Sequence, residues 1–95
     1  MGVTKRDLVN RVAERAAMTQ AQTQDVVQLT LDAICEAIVS EERLELRNFG
    51  VFEVRDRAPR KARDPRTGET MDVPARRVVT FRASPALLEQ LAQEA

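Results

Sequence analysis

The sequence contains no histidine, no tryptophan and no tyrosine. Without histidine there is no imidazole base, and with Cys35 as the only cysteine there is no intrachain disulfide and no Cys/His metal cluster. No metal, no cofactor and no catalytic residue are therefore expected. Three glycines and four prolines are too few for a linker or a collagen-like repeat. No apolar run approaches the ~20 residues of a membrane span. The start shows no signal-peptide pattern, and Arg6 stands where a myristoylation signal requires Ser or Thr. A cytoplasmic protein with no membrane attachment is expected.

What is present is a single small domain of 95 residues, 43% apolar and 32% charged. A chain of this size makes a thin core on its own. The formal net charge is zero, but its distribution is uneven. Residues 1–46 hold five basic and eight acidic side chains, residues 47–82 hold ten and five, and residues 83–95 hold none and two. One cationic third on an acidic body points to a local polyanion site; an ordinary solvated surface is the other reading of the same numbers.

The first half reads as helical. Thr4 and Asp7 have capping-box spacing, with Val3 and Leu8 placed for a hydrophobic staple, so a helix is expected over 4–16. Ala17 and Met18 connect it to a second helix, which Thr19 and Gln22 cap and which runs to about Ser40. Its apolar residues, Val26, Val27, Leu29, Leu31, Ala33, Ile34, Ala37 and Ile38, cover more than one narrow face. The excess favours burial against a second subunit; coverage by the chain's own sheet is the alternative. Cys35 beside these positions is expected to be a small, partly buried hydrophobe without a reactive role.

From Arg43 the period changes to two. Leu44 and Leu46, then Phe52 and Val54, then Val79 and Phe81 alternate with polar residues and mark three strands, the first ended by Asn48-Phe49-Gly50. Between the second and third lies a basic stretch, with Arg55, Arg57, Arg60, Lys61, Arg63 and Arg66 leading out and Arg76 and Arg77 leading back. Asp64-Pro65-Arg66-Thr67-Gly68 has the composition of a type I turn with a following bulge. A fold about Arg66-Thr67 sets Phe52 opposite Phe81, Val54 opposite Val79 and Pro59 opposite Pro74, with a bulge able to shift each pair by one. The paired prolines then divide a core-forming hairpin from a protruding arm whose only large apolar side chains are Met71 and Val73. Pro59 to Pro65 would span roughly 20 Å in extended form, the width of a nucleic-acid duplex. Ser84 and Pro85 open a last short helix, with Leu87, Leu88 and Leu91 expected to pack on the sheet or near the base of the arm.

The arm is rich in arginine and free of aromatics. Single-strand binders need stacking platforms, whereas guanidinium forks suit the phosphates of a duplex. Pro65, rigid and apolar at the tip, reads either as a turn former or as a wedge between base pairs.

Three segments together, Leu46-Arg47-Asn48-Phe49-Gly50-Val51-Phe52-Glu53-Val54-Arg55, Arg63-Asp64-Pro65-Arg66-Thr67-Gly68-Glu69 and Pro74-Ala75-Arg76-Arg77-Val78-Val79-Thr80-Phe81, resemble the bacterial HU/IHF family of histone-like DNA-bending proteins. Thr4-Lys5-Arg6-Asp7-Leu8 and the two-helix spacing are similar too. The resemblance implies an α+β fold. In it two N-terminal helices, a three-stranded antiparallel sheet with a protruding β-arm and a short C-terminal helix form an intertwined dimer. The domain plan is then a helical dimerisation body over 4–40, a sheet over 43–82 with the arm at about 56–76, and a helix over 84–93. Wedge insertion into the minor groove is a property of that family rather than a reading of these residues. Carried over by position, the wedge is Pro65. The DNA contacts are Arg55, Arg57, Arg60, Lys61, Arg63, Arg66, Arg76 and Arg77, with Arg82 and Lys5 as weaker candidates. The dimer core takes Val27, Leu31, Ile34, Ile38, Phe49, Phe52 and Phe81.

The implied partner is double-stranded DNA, with preference for bent, nicked or flexible duplex. The chain would pair with itself or with a related chain in the bacterial nucleoid. Two departures bear on this. Asp64 stands where the family usually has Asn, a cost near phosphates unless Arg63 or Arg66 neutralises it, and Asn48 stands where Gly is frequent. Asp72 is expected opposite Lys61. The acidic body and these carboxylates keep a second class open, a dimeric structural or protein-interaction module with weak or lost DNA binding. An enzyme has no residue pattern to support it.

Overall fold

The computed structural model describes residues 2–94. The chain forms two compact units, one up to Glu36 and one from Ala37 onward. The elements run α1 (Lys5–Ala16), α2 (Gln20–Glu41), β1 (Arg43–Leu46), β2 (Gly50–Arg57), β3 (Arg60–Arg63), β4 (Thr70–Val73), β5 (Arg76–Ala83) and α3 (Pro85–Gln93).

α1 begins with the expected reciprocal cap. The Asp7 N–H donates to Thr4 Oγ1, and the Thr4 N–H donates to Asp7 Oδ2 at 3.0 Å. The Thr4 N–H, together with the Thr4 hydroxyl that donates to the same Oδ2 at 3.1 Å, holds the Asp7 carboxyl below the usual carboxylate range, with nearby Arg11 and Arg6 adding to the effect. The helix stops at Ala17, which takes the left-handed conformation at φ 54°. Glycine is the usual occupant of that position, so composition gave no warning of it. α2 opens on a second cap, with the Gln22 N–H donating to Thr19 Oγ1 at 3.1 Å. Gln20 Nε2 donates to Asn10 Oδ1 and ties the two helices together. Val3 and Leu8, the expected staple pair, are both exposed.

Among the described residues Val9 is the one buried large apolar side chain. On α2, Val27, Ile34 and Ile38 are half-buried, while Val26, Leu29, Leu31 and Val39 are exposed, Val39 at 77%. Much of the apolar surface of this helix is thus open to water in the single chain. Cys35 is exposed rather than partly buried.

β1, β2 and β5 form an antiparallel sheet in the order β1-β2-β5, and β3 and β4 form a separate two-stranded ribbon. Phe52 faces Phe81 and Val54 faces Val79, and the same register continues without offset to Arg57 and Arg76 and then, past the prolines, from Arg60 and Val73 to Arg63 and Thr70. The one-residue shift that a bulge would have introduced does not occur. Pro65 to Gly68 form a four-residue loop, closed by the Gly68 N–H donating to the Asp64 carbonyl and the Asp64 N–H donating to the Glu69 carbonyl, each at 2.8 Å. Gly68 supplies the left-handed residue at φ 74°, so the extra residue is absorbed in the loop.

Pro59 and Pro74, which lack N–H donors, sit where the ladder is interrupted. Asn48 takes φ 66° in the turn between β1 and β2, as its tolerance of that region allows. Gly50 next to it is packed so closely that an added Cβ would lie 2.5 Å from the Phe81 ring and 2.6 Å from the Arg82 carbonyl oxygen. Ser84 caps α3 by accepting the Leu87 N–H at 3.1 Å, with Pro85 following. Leu87 is half-buried, but Leu88 and Leu91 are exposed rather than packed as expected. A nine-residue helix at the chain end covers only part of its own stripe.

Candidate nucleic-acid interface

Strand alternation sorts the side chains of the three-stranded sheet onto two faces. Leu44, Leu46, Phe52, Val54, Val79 and Phe81 share one face with Asp56 and Arg77. Arg43, Arg55, Arg57, Arg76 and Arg82 share the other with two carboxylates, Glu45 and Glu53. The sheet is thus apolar on one side and cationic on the other.

On the apolar side Phe49, Phe52 and Phe81 cluster, with ring centroids 4.8 Å apart for Phe52 and Phe81 and 5.4 Å for Phe49 and Phe81. Phe49 is still 46% exposed and Phe81 44%. Three touching aromatic rings half open to water form a surface that needs a partner.

On the cationic side Glu53 pairs with both Arg55, at 3.5 Å, and Arg82, at 3.7 Å, and Glu45 pairs with Arg43 at 3.4 Å. Arg57 and Arg76 face each other at the end of the sheet with no carboxylate partner among the described residues. With Arg60 they line an open cleft beside Pro59 and Pro74. Farther out, Lys61 pairs with Asp72 at 3.0 Å, as the register requires, whereas Arg63 and Arg66 carry no ion pair. Of the cations expected in the site, Arg57, Arg60, Arg63, Arg66 and Arg76 are therefore unpaired among the described residues, and they run from the root of the arm to its tip.

Arg77 departs from the expected set. Strand parity puts it on the apolar face, where it bonds to Asp56 at 3.1 Å and to Glu42. The hydrogen bond to Asp56, then the charge of Glu42, raise its already high pKa further. A basic doublet such as Arg76-Arg77 always splits across a strand, so only one of the two reaches the cationic face. Neither Arg63 nor Arg66 neutralises Asp64 through an ion pair among the described residues. Its Oδ1 accepts the Arg66 backbone N–H at 2.8 Å, a turn-forming bond rather than an ion pair. Two further arginines were not singled out from the sequence. Arg43 lies on the cationic face by its pairing with Glu53, a placement that strand parity could have supplied. Arg47 lines a cleft with Arg82, Ser84 and Pro85, a meeting of distant segments with no local signal.

The profile of the family described as bacterial DNA-binding protein matches residues 3–92. The chain belongs to this family, the HU/IHF histone-like proteins. It is 39% identical over 92 residues to integration host factor subunit alpha of Brucella suis, covering 97% of this chain and 86% of that protein. The structure is similar to an HU–DNA cocrystal structure from Anabaena, with a TM-score of 0.85 and 40% identity over 95% of this chain and 98% of that one. It is also similar to an HU mutant from Thermotoga maritima, with a TM-score of 0.67 and 26% identity over 94% and 99% of the two chains. The HU/IHF fold, with two N-terminal helices, a three-stranded antiparallel sheet and a short C-terminal helix, is the fold of this chain. Members of the family are architectural proteins without catalytic activity.

Proposed function

We propose that this protein binds double-stranded DNA as a homodimer and bends it, with little dependence on base sequence. The observation that carries the reading is the run of arginines without an ion pair among the described residues, from Arg57 and Arg76 through Arg60 to Arg63 and Arg66. Arg60, Arg63 and Arg66 belong to the β3–β4 ribbon and its loop, and Arg57 and Arg76 stand at its root, at the end of the three-stranded sheet. Unpaired guanidinium groups on a narrow two-stranded ribbon suit phosphates on either side of a minor groove. Arg55, Lys61 and Arg82 act as a reserve, exchanging their carboxylate partners for phosphates at a smaller net gain. Pro65 at the tip wedges between base pairs, and two such wedges kink the duplex. Unstacking costs a few kcal/mol per step, which the additional backbone contacts offset. Flexible, nicked or already bent duplexes are preferred because that cost is lower in them.

The half-open phenylalanine cluster and the exposed apolar surface of α2 support the dimer, whose core takes Val27, Leu31, Ile34, Ile38, Phe49, Phe52 and Phe81. Pairing with a related chain, in the way the name "subunit" implies for the integration host factor relatives, uses the same surfaces; native mass measurement of the purified protein separates it from self-pairing. The plan of a dimerisation body over 4–40 and a DNA-binding sheet and arm over 43–82 follows from the same assignment. The bacterial cytoplasm, on the nucleoid DNA, is the place of such a protein.

Titration of a labelled duplex across a range of salt concentrations tests the reading. Two chains that neutralise six to ten phosphates should lose about 10³–10⁵ in affinity between 50 and 200 mM salt. Absence of binding at micromolar protein and low salt would overturn it in favour of a structural or protein-interaction dimer.

A further inference from the structure

The arm tip carries a group that backbone binding does not use. Asp64 sits at the corner of the loop immediately before Pro65, and the bond from the Arg66 N–H to its Oδ1 anchors the carboxylate there. Neither the Arg63 nor the Arg66 guanidinium pairs with it among the described residues, and its Oδ2 accepts no hydrogen bond from them. An anion with a free acceptor oxygen is thus held beside the residue that enters the duplex.

A carboxylate only accepts hydrogen bonds. In the minor groove, A·T and T·A pairs present acceptors alone, adenine N3 and thymine O2, whereas a G·C pair adds a donor, the guanine N2 amino group. Against an A·T edge the Asp64 oxygen meets another acceptor, loses its water and gains nothing. Against a guanine edge the same oxygen has a partner. The asparagine usual in the family at this place carries both a donor and an acceptor, and so can satisfy either edge. We propose that Asp64 is a specificity-determining residue that directs insertion of the arm tip toward steps flanked by guanine, in a protein otherwise indifferent to sequence. The inference rests on the reading above, in which the Pro65 tip enters the minor groove.

The test uses duplexes in which a nick fixes the kink and the flanking pairs are either G·C or inosine·C. Inosine lacks only the N2 amino group and leaves the major-groove edge unchanged. Because losing that group also alters duplex stiffness, affinities are measured for the native protein and for Asp64→Asn. The effect of stiffness then cancels in the comparison of ratios.

The native protein should prefer G·C over inosine·C by about three- to tenfold more than Asp64→Asn does. Equal ratios for two proteins that both bind and bend the duplexes overturn the inference and leave the function standing. A uniform gain in affinity for Asp64→Asn on both duplexes, with the ratio unchanged, makes the carboxylate a general electrostatic penalty and also overturns it. Failure of the native protein to bind either duplex removes the DNA-bending reading and this inference with it.

Discussion

One antiparallel register runs the length of the β2–β5 and β3–β4 hairpin, but the two sides of the proline pair are held by different forces. Toward the sheet, Phe52, Val54, Val79 and Phe81 share one face and a third strand, β1, pairs alongside. Toward the tip, the apolar side chains are Ala62, Met71 and Val73, and among the described residues no third strand joins. A two-stranded ribbon without an apolar face to bury is marginal in water. The sheet takes its geometry from packing, whereas the arm takes its own from turn chemistry and backbone pairing alone. Of the arm's cations, Lys61 is tied to Asp72, while Arg60, Arg63 and Arg66 have no carboxylate partner among the described residues.

The sharpest way to break this comparison is to place a methyl group at matched sites in the two parts. Gly50→Ala drives a Cβ into the Phe81 ring and the Arg82 carbonyl, and should destabilise the fold by ~3 kcal/mol, read as a large drop in thermal midpoint. Gly68→Ala meets no neighbour and suffers only from its positive φ, a cost of ~1 kcal/mol in the arm that should scarcely move the midpoint. Equal melting losses from the two would show that the arm is as integral to the fold as the sheet.

A second pair of substitutions separates the two faces of the sheet. Arg57→Ala should weaken binding on every duplex and flatten the salt dependence by about one unit per subunit, leaving the melting midpoint unchanged. Arg77→Ala should leave the salt slope alone and lower the midpoint modestly, because it breaks the pairs with Asp56 and Glu42. Measured by titration and thermal melting side by side, the reverse result would place Arg77 in the interface after all.

The smallest effect concerns the helices. The Asp7 pKa lies below its unfolded value, so its contribution to stability is present above the unfolded carboxylate pKa and is lost as pH falls through the folded one. Asp7→Asn should therefore lower stability slightly near neutral pH and flatten its decline in acid. An acid unfolding profile unchanged by the substitution would remove Asp7 from the cap.

Both capping boxes, the change of period at Arg43, the Ser84-Pro85 helix start and the strand pairing were legible in the sequence because each depends on neighbours a few residues apart or on simple alternation. Ala17 in the left-handed region was not, because alanine does not advertise the conformation that glycine usually supplies at a helix end. The exposure of Cys35 depends on which segments cover α2, which periodicity along one helix does not give. In the site, the run of cations was visible but their division was not. Residue type cannot tell Arg76 from Arg77, and only the register shows that one stands free on the cationic face while its neighbour is tied to Asp56 and Glu42. Asp64 stands out in the sequence as a charge, yet its bond to the Arg66 N–H emerges only with the loop.

The most direct test of the account is the end-to-end distance of a nicked duplex, read by fluorescence energy transfer, with the native protein and with Pro65→Ala at matched saturation. The native protein should draw the ends together, and the variant should bind at similar affinity while bending the duplex clearly less. Unchanged curvature with Pro65→Ala, or no curvature with the native protein, would contradict the wedge on which the account turns.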